Sequence, residues 1–208
     1  MKKAAPVALD TSTEERIKEA ARKVFLQKGY AATRVKDIAT EAGLNIALLN
    51  YYFRSKEKLF DLVMLEKLQQ FAGELHHIML DEATLLREKV ERISAFYVDL
   101  LLAQPELPVF IFSELKANPA KLAGIIGAKK VLLHSRFAEQ LREELGSRGS
   151  AVSPLQYIMS LLGMAVFPFV ARPVLQLVGG QDDADFAALM QERKHLLPQW
   201  FDAMLKSA

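Results

Sequence analysis

Apolar residues recur at the spacing of an α-helix through most of this chain, and this periodicity restricts the possible folds more than any other feature. Near the N-terminus the apolar stripe falls on every third or fourth residue, at Ile17, Ala20, Ala21, Val24 and Phe25. No segment alternates apolar and polar residues over the length of a β-strand. The sequence therefore predicts an all-α protein with about nine helices.

Capping residues and helix breakers indicate where these helices begin and end. The predicted starts carry a small polar cap, in two cases followed by proline, at Ser12, Thr33, Asn45, Ser55, Asn118-Pro119 and Ser153-Pro154. The predicted stops are glycines, at Gly29, Gly43 and Gly179-Gly180. One helix is expected to run from Pro119 to Leu145, followed by a loop at 146–150. Pro168 and Pro173 should bend the helix that begins at Pro154.

Composition excludes several classes of function. The chain has 208 residues, 51% of them hydrophobic, and no cysteine. The absence of cysteine rules out thiolate catalysis, disulfides and cysteine-ligated zinc or iron–sulfur clusters, and the hydrophobic content excludes disorder. The N-terminal residues turn polar before an apolar signal core could form, so we expect no secretory signal and a cytoplasmic location.

Charge is distributed unevenly along the chain. Residues 1–58 contain 12 Lys and Arg against 7 Asp and Glu, whereas residues 59–208 contain 15 against 18. A basic N-terminal part on a mildly acidic body is typical of a surface that faces a polyanion. Chance clustering of surface charge explains the same numbers equally well, so the argument has to come from the residue pattern.

Residues 149–171 carry no charge and are long enough to span a bilayer. The stretch also contains Ser150, Ser153, Gln156, Ser160, Pro154 and Pro168. Several polar residues and two prolines within one such stretch disfavour a membrane-spanning helix. We therefore expect no membrane partner, and a helix that protein buries on most sides.

The segment from Val35 to Arg54 has the residue pattern of two short helices that cross at a tight turn. Close approach of the helices requires a small residue, which Ala39 supplies, and the turn requires left-handed backbone, which Gly43 tolerates. Leu49 is spaced to face inward from the second helix. The rest of the small predicted core is Ile38, Leu44 and Phe53. The spacing predicts a helix-turn-helix, although an ordinary helical hairpin satisfies part of the same pattern.

Residues on both sides of this segment extend the match to a known family pattern. They are Phe25-Leu26-Gln27-Lys28-Gly29-Tyr30, Thr33, Asp37-Ile38-Ala39, Glu41-Ala42-Gly43, Leu49 and Tyr52-Phe53-x-Ser55-Lys56-Glu57. With these residues the chain resembles the TetR family of bacterial transcriptional regulators. The chain departs from the commonest family residues at Ile46, Leu48 and Asn50, and the last two positions often contact phosphate in the family.

The resemblance implies a fold, two domains with different functions and a mechanism. It implies a three-helix DNA-binding domain over residues 1–58 and a larger helical domain for effector binding and dimerisation over residues 59–208. It also implies a homodimer that binds operator DNA as a repressor and is released by a small ligand. Activation in place of repression stays open.

The faces of the predicted recognition helix follow from its period. Leu49 and Phe53 are four residues apart and should face the core, which leaves the other side for the major groove. Asn50 is suited to pair with adenine, and Ile46 and Ala47 are suited to contact thymine methyl groups. The full set of predicted DNA contacts is Thr33, Arg34, Asn45, Ile46, Ala47, Asn50, Tyr51, Tyr52 and Lys56.

Several members of this set are predicted to contact the DNA backbone. Lys56 lies in the first turn of the fourth helix, where unpaired N–H groups favour a phosphate. Thr33 and Arg34 have an equivalent position at the start of the second helix. Tyr51 or Tyr52 is placed to donate to a phosphate, and for Tyr52 a core role is equally consistent. The neighbouring lysines expected only to be solvated are Lys28, Lys36 and Lys58.

The C-terminal body offers no catalytic constellation. Its histidine pair, His76-His77, points in directions about 100° apart on a helix, so the two cannot share a metal. We therefore expect no enzyme activity, no metal and no cofactor. Large apolar side chains fill the body, which can hold an apolar or amphipathic effector between helices. The predicted effector contacts are Phe71, His76, Tyr97, Phe110, Glu114, His134, Phe137 and Met159.

The uncharged helix, about 154–177, would expose a large apolar surface in a monomer. Together with the last helix it is expected to form a four-helix bundle with a second copy. The residues of the last helix assigned to that surface are Phe186, Leu189, Leu197, Trp200, Phe201 and Leu205. The alternative function is a helical carrier of small molecules or lipids that does not bind DNA. DNA affinity that falls steeply with salt would distinguish a regulator from a carrier.

Overall fold

The computed structural model describes residues 11–117, 119–125, 127, 133–146 and 153–207. Within these ranges the chain forms eleven helices and no strand, so the all-α prediction is confirmed with more helices than the nine expected. They are α1 (Thr11–Ala32), α2 (Val35–Glu41), α3 (Ile46–Phe53), α4 (Lys56–Leu80), α5 (Leu86–Ala103), α6 (Leu107–Ala117), α7 (Pro119–Ile125), α8 (Arg136–Leu145), α9 (Pro154–Val170), α10 (Arg172–Gly179) and α11 (Asp183–Ser207).

The chain divides into two compact units. Unit 1 is Met1–Lys67 and unit 2 is Leu68–Ala208, so the boundary falls inside α4 and not at its first turn. The assignment of DNA binding to residues 1–58, and of effector binding and dimerisation to residues 59–208, stays a prediction.

Unit 1 has a single apolar core built from α1, α2, α3 and the first turns of α4. Ile17, Ala21, Ile38, Leu49 and Leu59 are completely buried in it. α2 packs against both α1 and α3. The predicted stripe on α1 and the inward position of Leu49 are therefore confirmed.

Three of the predicted helix caps are confirmed. The side-chain oxygen of Asn45 accepts a hydrogen bond from the Leu48 N–H at 2.7 Å and begins α3. Ser55 accepts from the Lys58 N–H at 3.1 Å and begins α4. Ser153 caps α9 through the N–H two residues later, at 3.3 Å. Each cap satisfies an N–H group that the helix end leaves without a backbone partner.

Two of the predicted caps are wrong. α1 already includes Ser12, which is therefore inside the helix and not before it. The Thr33 hydroxyl donates to the Gly29 carbonyl at 2.7 Å, and Arg34 is the residue that precedes α2. Gly29 has φ 71°, which breaks the helical hydrogen bonding within α1. Thr33 therefore stabilises this break and does not start the next helix.

The centre of unit 2 is α5, which packs most extensively against α11 and also contacts α8 and α9. This packing corrects the predicted dimer surface of the last helix. Phe186, Leu197, Phe201 and Leu205 are buried within the chain's own core, whereas Leu189 and Trp200 are exposed. The prediction is wrong for the buried four, because the apolar pattern of α11 does not distinguish the face that packs inward from the face that is left open.

The single helix predicted to run to Leu145 is wrong. α7 ends at Ile125, and Gly127 has φ 56°, a left-handed conformation that helices do not continue through. A new helix, α8, starts after Ser135, whose hydroxyl oxygen accepts from the Ala138 N–H at 3.2 Å. The loop predicted at 146–150 lies outside the described residues after its first position.

The uncharged stretch forms most of α9, and the chain bends by 66° into α10. Pro168 lies inside α9 and Pro173 lies at the start of α10, so the predicted bend falls between them. In the ranges that the structure describes, no single helix is both long and apolar enough to cross a membrane. The bent pairs α9–α10 and α5–α6, the latter bent by 101°, reach that length and composition only when each pair is taken together.

Candidate nucleic-acid interface

A sharp turn between α2 and α3 sets the direction of the second helix. Gly43 has φ 64°, which glycine adopts without steric strain. The Leu44 N–H donates to the Ala39 carbonyl at 2.9 Å, and the Arg16 guanidinium donates to the Ala42 carbonyl at 2.9 Å. The turn confirms the predicted helix-turn-helix. The contact from Arg16, which fastens α1 to the turn, is one that the sequence pattern did not predict.

The exposed side of α3 carries no charge. Leu49 and Phe53 are buried, as their spacing predicts. The exposed residues are Ile46, Ala47, Asn50 and Tyr51, and the half-buried ones are Leu48 and Tyr52. The Tyr52 ring lies 5.6 Å from the Tyr51 ring and 6.4 Å from the Phe53 ring, between centroids. Tyr52 therefore contacts both the core and the surface.

Polar groups on this exposed side differ in how many hydrogen-bonding atoms remain available. Asn45 already accepts one hydrogen bond at its Oδ1 in the helix cap, so its NH2 group is the part of the amide with no partner among the described residues. Asn50 is exposed, and its side-chain amide makes no hydrogen bond to any described residue. Asn50 therefore offers both a donor and an acceptor, which is what pairing with a base edge requires.

Lys56, a predicted phosphate contact, also has partners within the protein. Its Nζ donates to the Tyr30 carbonyl at 2.9 Å and to the Thr33 carbonyl at 3.0 Å, and it lies 4.1 Å from the centroid of the Tyr30 ring. Two of the three ammonium hydrogens are therefore engaged by backbone carbonyls. Lys56 acts as a clamp that joins the first turn of α4 to the chain between α1 and α2.

Thr33 is also a structural residue in this protein. It is 2% exposed, and its hydroxyl donates its one hydrogen to the Gly29 carbonyl. The hydroxyl therefore has no second hydrogen to donate, and a DNA-backbone contact at Thr33 stays a prediction. The adjacent Arg34 is exposed and keeps its predicted position at the start of α2.

The basic residues along α1 are neutralised by acidic neighbours. The ion pairs are Lys18 with Glu15 and Glu66, Arg22 with Glu19 and Glu66, Lys23 with Glu41, and Lys28 with Asp37. The hydrogen bond to Glu15 raises the pKa of Lys18 against the opposing effect of burial. Burial alone would raise the pKa of Glu66, but hydrogen bonds from Arg22 and Lys18 hold it below its ordinary value.

Arg16 is exposed and forms no ion pair, but its guanidinium donates to the Ala42 carbonyl. Four other exposed cations of unit 1 have neither an ion pair nor a side-chain hydrogen bond to a described residue: Arg34, Lys36, Arg54 and Lys58. We call them the free cations. Arg34 and Lys36 lie at the start of α2, and Arg54 and Lys58 lie where α3 meets α4. The Lys56 clamp brings these two places together, since it reaches from α4 to the Thr33 carbonyl.

Of these four, only Arg34 was a predicted DNA contact. Lys36 and Lys58 were expected only to be solvated, and the residue that the sequence pattern did not single out at all is Arg54. It has φ 55°, and its N–H donates to the Asn50 carbonyl at 2.9 Å, so it ends α3 and turns the chain toward α4. The sequence feature that could have identified Arg54 is its position between the recognition helix and the Ser55 cap. A cation there is held close to whatever the recognition helix contacts.

In unit 2 the predicted effector contacts are partly brought together. The Phe71 ring lies 5.2 Å from the Tyr97 ring and stacks on Phe96 at 5.4 Å. Burial raises the pKa of the Tyr97 phenol. Phe110 and Phe137 are also buried. A small apolar cavity of about 20 Å³ lies beside Phe137, lined also by Leu75, Met79, Ile93, Ile158, Leu161 and Leu162.

Other predicted effector contacts lie elsewhere in unit 2. His76 is half-buried, and its ring is so close to Gly127 that a Cβ there would lie 2.7 Å from Nε2. Glu114 is half-buried. His134 is exposed and Met159 is 49% exposed, so neither lies in the interior with the aromatic rings. The cavity of about 20 Å³ has room for about one water molecule, so an effector would have to open it.

Unit 2 also contains a buried polar cluster that the sequence pattern did not predict. Lys89 is completely buried, and its Nζ donates to the Asp81 and Thr84 carbonyls and to the Thr84 hydroxyl. Gln140 donates to the Thr84 carbonyl at 2.8 Å. Burial lowers the pKa of Lys89. In the described ranges, no three His, Asp or Glu side chains converge as a metal site would require.

Comparison with known proteins agrees with the helix-turn-helix. Residues 17–63 match the sequence model of the bacterial regulatory proteins of the tetR family. The "Probable HTH-type transcriptional regulator YttP" of Bacillus subtilis is 26% identical over 168 residues, 78% of this chain and 79% of that protein. The "HTH-type transcriptional repressor NicS" of Pseudomonas putida is 34% identical over 105 residues, 49% of this chain and 48% of NicS.

The fold extends this similarity over nearly the whole chain. The crystal structure of a TetR transcription regulator from Haloarcula marismortui matches with a TM-score of 0.63. It is 17% identical, and the match covers 93% of this chain and 98% of that one. The likeness in structure therefore includes the helices of unit 2, where the sequence pattern carried no family motif.

Proposed function

Because the chain belongs to the TetR family and is a DNA-binding transcriptional regulator, we propose that it is a ligand-released repressor. A homodimer binds palindromic operator DNA, and a small, mostly apolar effector releases it. The observation that carries the proposal is the uncharged exposed side of α3, with free cations at the start of α2 and where α3 meets α4. The repressor role is supported by the relative NicS, which is named a repressor.

The division of contacts follows from the available groups. The exposed residues of α3 enter the major groove, and the free cations neutralise phosphates on either side. The Asn45 amide and the Tyr51 hydroxyl supply further donors near the start and the end of the same helix. The Lys56 clamp positions these groups, because it joins the starts of α2 and α4.

The homodimer is supported by apolar side chains that the chain leaves exposed. Phe167 on α9 is 65% exposed and Met159 is 49% exposed, and Leu189 and Trp200 on α11 are also open. Two copies related by a twofold axis would cover these residues in a four-helix bundle. The same symmetry would place two recognition helices about 34–36 Å apart, one turn of DNA.

The effector assignment rests on the ring cluster of Phe71, Phe96 and Tyr97 and on the apolar cavity beside Phe137. An apolar or amphipathic ligand would enlarge this interior and shift the protein to the form that does not bind DNA. A ligand that binds both forms equally cannot do so. Operator DNA must therefore weaken effector binding by the factor by which the effector weakens DNA binding. Calorimetry of apolar candidates with and without operator measures this factor.

Titrations of DNA at several salt concentrations test the interface. Arg54→Ala should weaken binding to a random-sequence duplex and lower the slope of log affinity against log salt by about 0.9, since one phosphate contact is lost. The matched control is Lys23→Ala, a cation on α1 that is ion-paired with Glu41. Its slope should match the wild-type value. Equal slopes for all three proteins would remove Arg54 from the interface.

Sedimentation tests the dimer. Phe167→Glu should give monomers, because it places a charge within the apolar surface, and it should abolish tight operator binding. Phe167→Leu is the control and should retain the dimer. A wild-type protein that stays monomeric at micromolar concentration would contradict the proposal.

A further inference from the structure

We infer that α3 reads A·T base pairs, with thymine recognised mainly through its methyl group. This inference rests on the proposed function, since it concerns the bases that the same surface contacts. It goes further by naming the chemical class of operator half-site. Its basis is the set of side chains that the fold leaves exposed on α3 and the set that it lacks.

The exposed side of α3 has none of the charged side chains that most often read guanine or cytosine. Guanine presents two acceptors in the major groove and is read by Arg or Lys, and cytosine presents a donor and is read by Asp or Glu. Ile46–Phe53 contains none of these four residue types. The Asn45 amide near the start of α3 is already tied to the helix cap through its oxygen, and its NH2 group can donate to a phosphate as well as to a base.

The groups that α3 does present match adenine and thymine. Adenine offers an acceptor and a donor side by side, and the Asn50 amide has both of its atoms available. Thymine offers a methyl group, and Ile46 is 42% exposed at the first position of the helix. Ala47 follows it, also exposed. Contact with thymine methyls would remove this apolar surface from water, which no other base edge in the major groove would do.

The positions of the free cations agree with a recognition helix that reads bases without charged side chains. All four lie outside α3, at the start of α2 or at the junction with α4. Arg54 is held at the end of α3 by its left-handed backbone. The electrostatic attraction to DNA therefore comes from around the recognition helix, and the helix itself reads shape and methyl groups.

The experiment is a selection of tight binders from a random duplex library by the purified full chain. It is repeated with Ile46→Ala, Asn50→Ala and the control Lys58→Ala. The wild-type consensus should contain A·T pairs at the positions whose preference is lost in the first two variants. Asn50→Ala should lower affinity for the consensus duplex about ten-fold. Lys58→Ala should weaken binding to all sequences and leave the consensus unchanged.

Uracil substitution then tests the methyl contact directly. Replacing the Ile46-dependent thymine with uracil removes only the methyl group and should lower wild-type affinity about four-fold. The same replacement should have no effect on Ile46→Ala. G·C pairs at the α3-dependent positions, no recoverable consensus, or indifference to uracil would overturn the inference while DNA binding stands. Failure to retain any duplex at low salt would instead contradict the proposed function.

Discussion

Unit 1 and unit 2 each hold one lysine against backbone carbonyls, but at different depths. In unit 1, Lys56 is half-exposed and bridges two carbonyls from a segment more than twenty residues away. In unit 2, Lys89 is completely buried and binds a loop only a few residues before it. Both residues are lysines, but water reaches part of the Lys56 side chain and none of the Lys89 side chain. A lysine beside a helix start is therefore not evidence of a phosphate contact until its partners are known.

Of the two lysines, Lys89 is expected to contribute more to the free energy of unfolding. Lys89→Met keeps the aliphatic stem but removes the donor to the Asp81 carbonyl and to the Thr84 hydroxyl, whereas the Thr84 carbonyl keeps its hydrogen bond from Gln140. Unfolding by urea should show a loss of about 3 kcal/mol. The control is Glu88→Met at the adjacent exposed position, which should change stability by less than about 0.5 kcal/mol. Equal losses in the two variants would mean that the buried ammonium contributes little.

A smaller loss is expected at Lys56. Lys56→Met removes a charged donor from two carbonyls that are partly reached by water, so we expect a loss of about 1–2 kcal/mol. Lys58→Met, on the same turn but without a partner among the described residues, should leave stability unchanged. DNA binding sharpens the comparison, since we propose that Lys58 contacts phosphate, whereas Lys56 holds two backbone carbonyls of the fold. A stable Lys56→Met protein that loses one unit of salt slope would identify Lys56 as a phosphate contact.

The smallest effect is expected on stability in acid, and it compares Asp37, in the first turn of α2, with Asp81, which follows α4. The pKa of Asp37 is lowered first by the Arg34 N–H and then by Lys28, and that of Asp81 first by the Ala83 N–H. The folded-state values lie below the ordinary 3.8. The stabilisation is therefore complete above that pH and is lost as the pH falls below it. Urea midpoints of Asp37→Asn and Asp81→Asn should depend less steeply on acid pH than the wild type.

Much of the fold followed from short-range pattern. The caps at Asn45, Ser55 and Ser153 were predictable because a side chain and the N–H it accepts are two or three residues apart. The helix-turn-helix followed from Ala39, Gly43 and Leu49 for the same reason, since its turn closes within five residues. The exposed side of α3 followed from helical period alone. These features depend on the local chain and not on what packs against it.

The errors arose where two elements compete for one side chain. The sequence pattern predicts Thr33 as a helix cap, but its hydroxyl instead donates to the Gly29 carbonyl, which the break in α1 leaves without a helical partner. On α11, Phe201 and Trp200 are both apolar and adjacent, yet α5 and its neighbours bury the first and leave the second open. The helical pattern identifies the apolar residues of a long helix, but it does not show which of two apolar sides packs against the rest of the chain.

The amino-acid sequence was enough to establish an all-α chain, a helix-turn-helix and an uncharged recognition helix, because each is encoded within a few neighbouring residues. Only the tertiary structure separated the ion-paired cations of α1 from the free cations around α3. Lys18 meets Glu66 across 48 residues, and Lys56 meets Tyr30 across 26. Such contacts depend on how helices pack, and packing depends on the whole core. Which cations remain without an ion pair is therefore a property of the fold, although every charged residue is visible in the sequence.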